Sequence, residues 1–341
     1  MSTFLRANDW AQTALRAGKS TMTGAATGIA AGIFSASTGD IALTAAAVVV
    51  PPLVGGALDF KRAALALHGR FNYNIPPPLV DKKHFGEQHS GPAYRLVVMG
   101  DSIAAGAQAV QKPGVIPRAE LPMRLAQLIS DKLRRPVSLH MVATVGGTYA
   151  DLPLQIRDAE QELTQEPSGV FNNANADLVL LISGSNDARK RFKRMLVQTP
   201  YSNAITEVHR RLKPKEILFA TCPDQDSTPL TDHPLIRLAF KKPAHVIRET
   251  QRWVIDRRRE DGIPVSELDL SGLLTRMKVT PGWFNPGDVH LNNDGSLYAA
   301  KWLMEGEFGE VVTRTGALPS SVEQRQVLPA PSRSGSNRTV V

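Results

Sequence analysis

Residues 177–187 read Asp-Leu-Val-Leu-Leu-Ile-Ser-Gly-Ser-Asn-Asp and hold the clearest strand pattern in the chain. The apolar run Leu178–Ile182 is short and unbroken, which is typical of a strand buried on both faces of a sheet. It leads directly into Ser183-Gly184, a pair that favours a turn. The stretch therefore predicts a central strand of a parallel sheet, with polar residues following its carboxyl end.

Short apolar runs and longer amphipathic segments alternate on both sides of this strand. The other strand-like runs are 94–99, 137–145, 217–221 and 263–270, and the helical patterns are 117–135, 149–164, 188–212, a long segment ending near 259, and 293–312. Alternation of this kind predicts an α/β fold with a parallel sheet between two layers of helices. Ligands of such sheets bind beyond the carboxyl ends of the strands, so the residues that follow each strand are the first candidates for a site.

Changes in composition divide the chain into four parts. We predict an N-terminal helical segment over 1–70, a linker over 71–92, a catalytic domain over 93–314 and a disordered tail over 315–341. The linker contains Ile75-Pro76-Pro77-Pro78, and the tail consists mostly of Ser, Pro, Arg and Asn with little to bury.

Part of the N-terminal segment is strongly apolar. Residues 20–58 carry a single charge, Asp40, and basic residues flank them on both sides. The apolar pieces 24–37 and 41–58 are at or below the roughly 20 residues that a bilayer span needs. One hypothesis is a hairpin at the inner face of a membrane, with both ends cytoplasmic. The alternative is a pair of Ala-rich helices packed on the catalytic domain or on another copy of a soluble cytoplasmic protein.

The overall composition narrows the class of protein. A single cysteine, Cys222, excludes an internal disulfide framework and a thiolate metal cluster. The formal net charge of +8 favours anionic surroundings, such as phospholipid headgroups or acidic substrates. Because no zinc-finger spacing or RNA-binding aromatic signature accompanies this charge, nucleic acid is not the expected partner. The oligomeric state is left open.

The motif Gly100-Asp101-Ser102 follows the first predicted strand of the catalytic domain. A serine hydroxyl needs a base to remove its proton and donors to hold the oxyanion that forms. A tight strand-to-helix turn exposes the hydroxyl and points backbone N–H groups toward the same place. Ser102 is therefore a candidate nucleophile, although an ordinary turn with a capping Asp or Ser has the same sequence.

Two further motifs follow predicted strands and can supply oxyanion donors. Asn186, in Gly184-Ser185-Asn186-Asp187, has a side-chain amide that donates a hydrogen bond without carrying charge. Gly146, in Gly146-Gly147-Thr148, offers a backbone N–H group. A helix start and a plain glycine turn are the respective alternatives.

A candidate base lies near the end of the catalytic domain. His290 occurs in Pro286-Gly287-Asp288-Val289-His290, in a predicted loop before the last helix. A nearby carboxylate fixes the tautomer of a histidine base and stabilises the imidazolium, which makes Asp288 the candidate acid.

The four motifs, in this order and spacing, resemble the SGNH (GDSL-type) hydrolase family over roughly 94–312. The resemblance implies a flavodoxin-like three-layer α/β/α fold and hydrolysis of carboxylic esters through an acyl-enzyme, with no cofactor and no metal. It implies that Ser102 is the nucleophile and His290 the base. It also implies that Gly146, Asn186 and the Ser102 N–H form the oxyanion hole.

The chain departs from the family pattern at the acid. The family places its Asp three residues before the His, and that position is Gly287 here, whereas Asp288 lies two before. Residues two apart in an extended loop face the same side, so Asp288 can still reach the ring of His290. The alternative is a Ser-His dyad oriented by a backbone carbonyl.

The motifs leave the substrate open. Charge and the apolar leader favour a lysophospholipase-like lipid esterase; the alternatives are an acyltransferase, a carbohydrate deacetylase or a non-catalytic scaffold on the same fold. The basic run 189–194 is either a solvated helix face or a surface that attracts anionic lipid. Cys222-Pro223 is expected to line the substrate pocket, and loop 223–234 to shape specificity.

Overall fold

The computed structural model describes residues 79–106, 120–165, 175–189, 194–223, 234–279, 282–284 and 290–317. The predicted segment 1–70 and the tail beyond 317 lie outside these ranges, and so does most of loop 223–234. Among the described helices, none combines the length and the hydropathy that crossing a membrane requires.

The strands form one six-stranded sheet in the order β1-β3-β2-β4-β5-β6. They are β1 (Leu79–Phe85), β2 (Tyr94–Gly100), β3 (Val137–Ala143), β4 (Leu178–Ile182), β5 (Glu216–Ala220) and β6 (Val265–Leu268). Strands β2 to β6 are parallel, as the alternation of strands and helices predicts. Every residue of β2, β3, β4 and β5 is buried, because helices cover both faces of the sheet.

Strand β1 corrects the predicted linker. Residues 79–85 pair antiparallel with β3, from Leu79 opposite Ala143 to Phe85 opposite Val137, and extend the sheet at its edge. The sequence Leu-Val-Asp-Lys-Lys-His-Phe is only partly buried. An edge strand with one partner tolerates such charged residues, which is why its composition resembles that of a linker.

The helices form two layers, one on each face of the sheet. The bounds are α1 (Glu120–Leu133), α2 (Leu152–Thr164), α3 (Ser185–Arg189), α4 (Arg194–Leu212), α5 (Pro234–Glu260), α6 (Ser271–Lys278), α7 (Asn293–Glu305) and α8 (Glu307–Gly316). Helices α1, α6, α7 and α8 pack their apolar side chains on one face, here called the α7 layer. Helices α2, α4 and α5 cover the other face, here called the α5 layer. The predicted three-layer α/β/α fold is confirmed.

Of the predicted helices 188–212 and 293–312, one is divided in the structure. The described residues of the segment 188–212 belong to α3 and α4 and are helical as predicted. The segment 293–312 breaks at Gly306, whose extended backbone ends α7 and begins α8. A glycine in a helical pattern lowers helix stability, and here it marks the junction of two helices.

Candidate active site

Ser102 lies in a tight turn directly after β2. Gly100 has φ of +137°, which L-residues rarely adopt, and a Cβ atom added there would overlap the carbonyl oxygen of Ile182. The Asp101 N–H donates to the same carbonyl at 2.9 Å. Glycine at position 100 therefore lets β2 approach the end of β4 and turn sharply, so that Ser102 stands at the carboxyl edge of the sheet.

This turn coincides with the point where the order of the strands reverses. From β2 the chain crosses to β3 on one side, and from β3 it crosses back to β4 on the other side of β2. The two crossovers leave in opposite directions, which opens a crevice at the carboxyl end of β2. Ser102 follows the strand at this crevice.

His290 meets Ser102 across 188 positions of sequence. The Nε2 atom of His290 lies 2.9 Å from the Ser102 Oγ atom, within hydrogen-bond distance. Both groups are largely buried: Ser102 is 9% exposed, and the ring of His290 is of intermediate exposure. The structure thus joins the predicted nucleophile and the predicted base at the geometry that proton transfer requires.

The segment around His290 is held by contacts on both sides. Leu291 forms an antiparallel bridge with Phe284, and Trp283 stacks on Tyr298 of α7 with ring centroids 3.9 Å apart. Asn292 caps the start of helix α7, and its side chain accepts a hydrogen bond from the Gly295 N–H at 2.9 Å. These contacts fix the start of α7, and His290 lies two residues before the N-cap.

The predicted donors Gly146 and Asn186 lie in the loop after β3 and at the start of α3, and these two segments are bonded to each other. Asn186 is 5% exposed and donates from Nδ2 to the Gly147 carbonyl at 2.9 Å. The adjacent Gly146 has φ of +78°, a conformation that favours glycine. In the next positions, the Thr148 N–H donates to Asp151 at 2.7 Å, which turns the chain into a short 3-10 helix.

Asp187 of α3 forms a second connection to the segment that follows β3. Its carboxylate accepts hydrogen bonds from the Tyr201 O–H at 2.7 Å and from the Tyr149 N–H at 3.2 Å. Tyr201 belongs to α4 and is fully buried; burial raises its pKa well above the usual value for tyrosine, and the carboxylate of Asp187 adds to this effect. Tyr201 therefore remains a hydrogen-bond donor at every physiological pH.

Asp101, beside the nucleophile, is a buried carboxyl group. It is 1% exposed, and its Oδ1 atom accepts the Ile103 N–H at 2.9 Å. Burial raises the pKa of Asp101 to about 6, while the hydrogen bond from Ile103 and the charge of Arg189 act in the opposite direction. The turn that carries Ser102 therefore contains a buried carboxyl group, Asp101, whose pKa is raised toward neutral pH.

Two buried glutamines of the α5 layer bind the same edge of the sheet. Gln155 of α2 donates from Nε2 to the Gly100 carbonyl at 2.8 Å and to the Thr144 hydroxyl at 3.0 Å. Gln251 of α5 accepts the Cys222 N–H at 2.7 Å and donates to the Ser183 carbonyl at 2.8 Å. Gln155 thus joins the ends of β2 and β3, and Gln251 joins the ends of β4 and β5.

These two glutamines were not predicted from the sequence, although their positions in the helical pattern could have indicated them. Each occupies a position that helical spacing assigns to the apolar face, beside Leu152 and Ile156 in α2 and beside Ile247 and Val254 in α5. A polar side chain at a core position must find hydrogen-bond partners, and here the partners are the strand ends.

The remaining predicted positions have different outcomes. Asp288 and Gly287 lie outside the described residues, so the identity of the acid stays a prediction. Pro223 lines an apolar cavity beside His290, as expected. Cys222 does not; it packs in the core of the α5 layer, because successive residues of an extended segment point to opposite faces.

Comparison with known proteins identifies the family of the chain. The model of the GDSL-like Lipase/Acylhydrolase family matches residues 98–297, more than half of the chain. No curated protein matches significantly.

Three of the solved structures that resemble the chain illustrate the range of its relatives. A lipolytic protein of the G-D-S-L family from Veillonella parvula has a TM-score of 0.41 and 18% identity, covering 63% of this chain and 98% of that one. A family two carbohydrate esterase from Clostridium thermocellum, in complex with cellohexaose, has a TM-score of 0.46 and 18% identity over 67% of each chain. An aryl esterase from M. smegmatis has a TM-score of 0.41 and 16% identity, covering 62% and 97%. On the match of the family model, the chain belongs to the GDSL-like Lipase/Acylhydrolase family and is an ester hydrolase.

Proposed function

We propose that the protein hydrolyses carboxylic esters through an acyl-enzyme formed on Ser102. The observation that carries this proposal is the 2.9 Å contact between the Ser102 hydroxyl and His290 Nε2. In the proposed first step His290 removes the hydroxyl proton while Oγ attacks the ester carbonyl, and then delivers that proton to the departing alcohol. In the second step His290 activates water in the same way, which releases the acid and regenerates Ser102.

The oxyanion of each tetrahedral intermediate would be held by neutral donors. We assign the Ser102 and Gly146 N–H groups and the Asn186 side chain to this role. An amide nitrogen carries two hydrogens, and the bond from Asn186 to the Gly147 carbonyl uses one. That bond orients the amide before substrate arrives, which favours stabilisation of the transition state without reorganisation.

The acid that orients His290 is a separate proposal. Asp288 is our candidate, and a dyad oriented by a backbone carbonyl is the alternative. Replacing Asp288 by Asn keeps the shape of the side chain and removes its charge, so it distinguishes the two.

The proposal is tested with p-nitrophenyl esters of increasing acyl length and with a fluorophosphonate that labels activated serines. We expect wild type to hydrolyse at least one ester and to be labelled, and Ser102→Ala to do neither. Asp288→Asn should lower kcat by about 10⁴-fold if it is the triad acid, by analogy with known triads, and only slightly in a dyad. Absence of both labelling and hydrolysis in wild type would exclude a serine esterase.

One surface of the protein favours a lipid ester as the substrate. Met195 and Leu196 at the start of α4 are 87% and 55% exposed, and the guanidinium of Arg194 lies 5.7 Å from the ring centre of Trp253. These residues adjoin the basic run 189–194, and apolar side chains beside basic ones are typical of surfaces that bind anionic lipid.

Charge reversal at Lys193 and Arg194 tests this lipid proposal. It should weaken binding to vesicles of anionic phospholipid and leave hydrolysis of soluble esters unchanged in the presence of salt. Unchanged vesicle binding would exclude this surface and leave a soluble ester, including a carbohydrate acetate, as the substrate. Acyl transfer with the same residues is the other alternative.

A further inference from the structure

An apolar cavity opens beside His290 and extends into the α7 layer. It is narrow: the space open to the centre of a water-sized sphere is about 50 Å³. It lies between the sheet and helices α6 and α7, and its lining includes Leu180, Leu268, Leu274, Ser296, Ala299 and Leu303. Among the described residues that line it there is no Asp, Glu, Lys or Arg. A cavity with these walls accepts a hydrocarbon group and excludes a charged one.

The length of the cavity follows from the elements that line it. Along α7 the lining residues are Ser296, Ala299 and Leu303, one helical turn apart on the face that meets the sheet. The seven steps along the helix from Ser296 to Leu303 span about 10 Å at about 1.5 Å per residue. An extended alkyl chain advances about 1.25 Å per carbon when its bonds are about 1.5 Å long. The cavity therefore accommodates a chain of six to eight carbons.

The position of His290 indicates which half of an ester, the acyl group or the alcohol, enters the cavity. His290 lines the cavity, whereas Ser102, Gly146 and Asn186 do not. In the mechanism above, His290 delivers its proton to the oxygen of the departing alcohol, so that oxygen must lie on the side of the Nε2 atom. The alkyl chain attached to that oxygen is then the part of the ester nearest to the opening.

We propose that this cavity binds the alkyl chain of the alcohol half of the substrate, an inference that rests on the function proposed above. The substrate class is an ester of a linear aliphatic alcohol of about six to eight carbons. The acyl group stays outside the cavity, at the oxyanion donors of the β2 and β3 loops.

The same cavity has a consequence for the acyl-enzyme. Once the first alcohol has left, a second alkyl alcohol can occupy the cavity with its hydroxyl at His290. His290 removes the hydroxyl proton, the alcohol oxygen bonds to the acyl carbon, and the bond from that carbon to Ser102 Oγ breaks. The proton returns to Oγ, so the products are a new ester and free enzyme. Added hexanol should therefore compete with water for the acyl group.

The test uses acetate esters of linear alcohols from methyl to dodecyl, with release of acetic acid or transfer of acetate as the readout. All these substrates form the same acetyl-enzyme, so a change in kcat/KM with alcohol length reports the first step alone. We expect kcat/KM to rise roughly fourfold per methylene, the equivalent of about 0.8 kcal/mol, up to hexyl or octyl acetate and then to fall. Hexanol should divert the acetyl group to hexyl acetate more efficiently than methanol does.

Two neighbouring alanines of α7 provide a matched pair of variants. Both are fully buried, but Ala299 lines the cavity and Ala300 does not. Ala299→Leu should lower the ratio of octyl to methyl acetate hydrolysis at least tenfold, and Ala300→Leu should preserve it. Leu303→Ala, which extends the inner end, should move the optimum to longer alcohols. Leu163→Ala, a core truncation in the α5 layer, is its control.

Several outcomes would overturn the proposal. One is a kcat/KM that does not depend on alcohol length. Another is a dependence on acyl length, in the p-nitrophenyl series, that Ala299→Leu changes; the cavity would then be an acyl site. If Ala299→Leu or Leu303→Ala fails to fold, the remaining one of these two variants and the wild-type series of acetate esters still test the proposal. Failure of the proposed function is distinguishable, since wild type would then neither hydrolyse p-nitrophenyl acetate nor react with the fluorophosphonate.

Discussion

The two helical layers contact the same catalytic edge in different ways. The α5 layer reaches it through buried polar side chains: Gln155, Gln251 and Tyr201 bind the ends of β2, β3, β4 and β5 or the loops that follow them. The α7 layer reaches the edge with the segment that carries His290, and an apolar cavity lies behind that residue.

The difference separates two requirements of a hydrolase. Hydrogen bonds from the α5 layer fix the positions of the nucleophile turn and of the predicted oxyanion loops, because buried polar groups are costly to leave without partners. Apolar contacts in the α7 layer are not directional, so that layer can vary in shape without moving the edge. Substitutions in the two layers should therefore have different consequences.

The largest expected effect is on stability, from a glutamine of the α5 layer. Gln251→Leu removes the buried hydrogen bonds to the Cys222 N–H and to the Ser183 carbonyl. At about 1–3 kcal/mol for each, the free energy of unfolding should fall by about 2–6 kcal/mol. Denaturation in urea measures it, with Gln127→Leu as the control, because Gln127 bonds only at the surface of α1. Equal losses in the two variants would show that the buried bonds do not hold the edge.

A smaller effect on stability is expected when one leucine in each layer is truncated to alanine. Leu163 of α2 is fully buried in the core of the α5 layer, whereas Leu274 of α6 borders the cavity. Leu163→Ala should destabilise the protein by about 2–5 kcal/mol. Leu274→Ala should cost less, because a side chain beside empty space makes fewer contacts to lose. Urea midpoints of the two variants check the order, and a larger loss at Leu274 would mean that the cavity is closed in solution.

The third effect concerns pH and Asp101, at the turn between the two layers. The pKa of Asp101 rises from 3.8 to about 6 on folding, mainly because of burial. Between these values the native state binds more protons than the unfolded state, so stability falls as pH rises. The rise corresponds to about 3 kcal/mol. Relative to Asp101→Asn, wild type should lose this amount between pH 4 and pH 6 and change little above pH 7.

Unfolding in urea at a series of pH values measures the difference between wild type and Asp101→Asn. If the difference in the free energy of unfolding were constant across the pH range, folding would not raise the pKa of Asp101, and its carboxyl group would be accessible to solvent.

The sequence was most informative where the chain is buried on both faces. Strand β4 is an unbroken apolar run and β2 is apolar from Leu96 to Met99, and each strand is followed by a motif whose residues the fold brings to one edge. The pairing of Ser102 with His290 was predicted from the order of the motifs and from the resemblance to the SGNH family, and the structure places the two side chains within hydrogen-bond distance.

The sequence was least informative where stability depends on a partner rather than on composition. The charged sequence of β1 becomes a strand only because β3 offers an edge to pair with. Gln155 and Gln251 were missed because side-chain amides bind strand ends that are distant in sequence. The cavity of the α7 layer depends on how three elements fit together, and no local pattern encodes such a fit.

The direction of β1 determines where the first part of the chain is attached. Leu79 pairs with Ala143, the last residue of β3, so the chain enters the domain at the catalytic edge rather than at the opposite one. Gly146 follows Ala143 by only three residues. The chain before Leu79 is therefore joined covalently to the domain beside the site, so a substrate bound close to that junction would meet the site at a high effective concentration without any new contact.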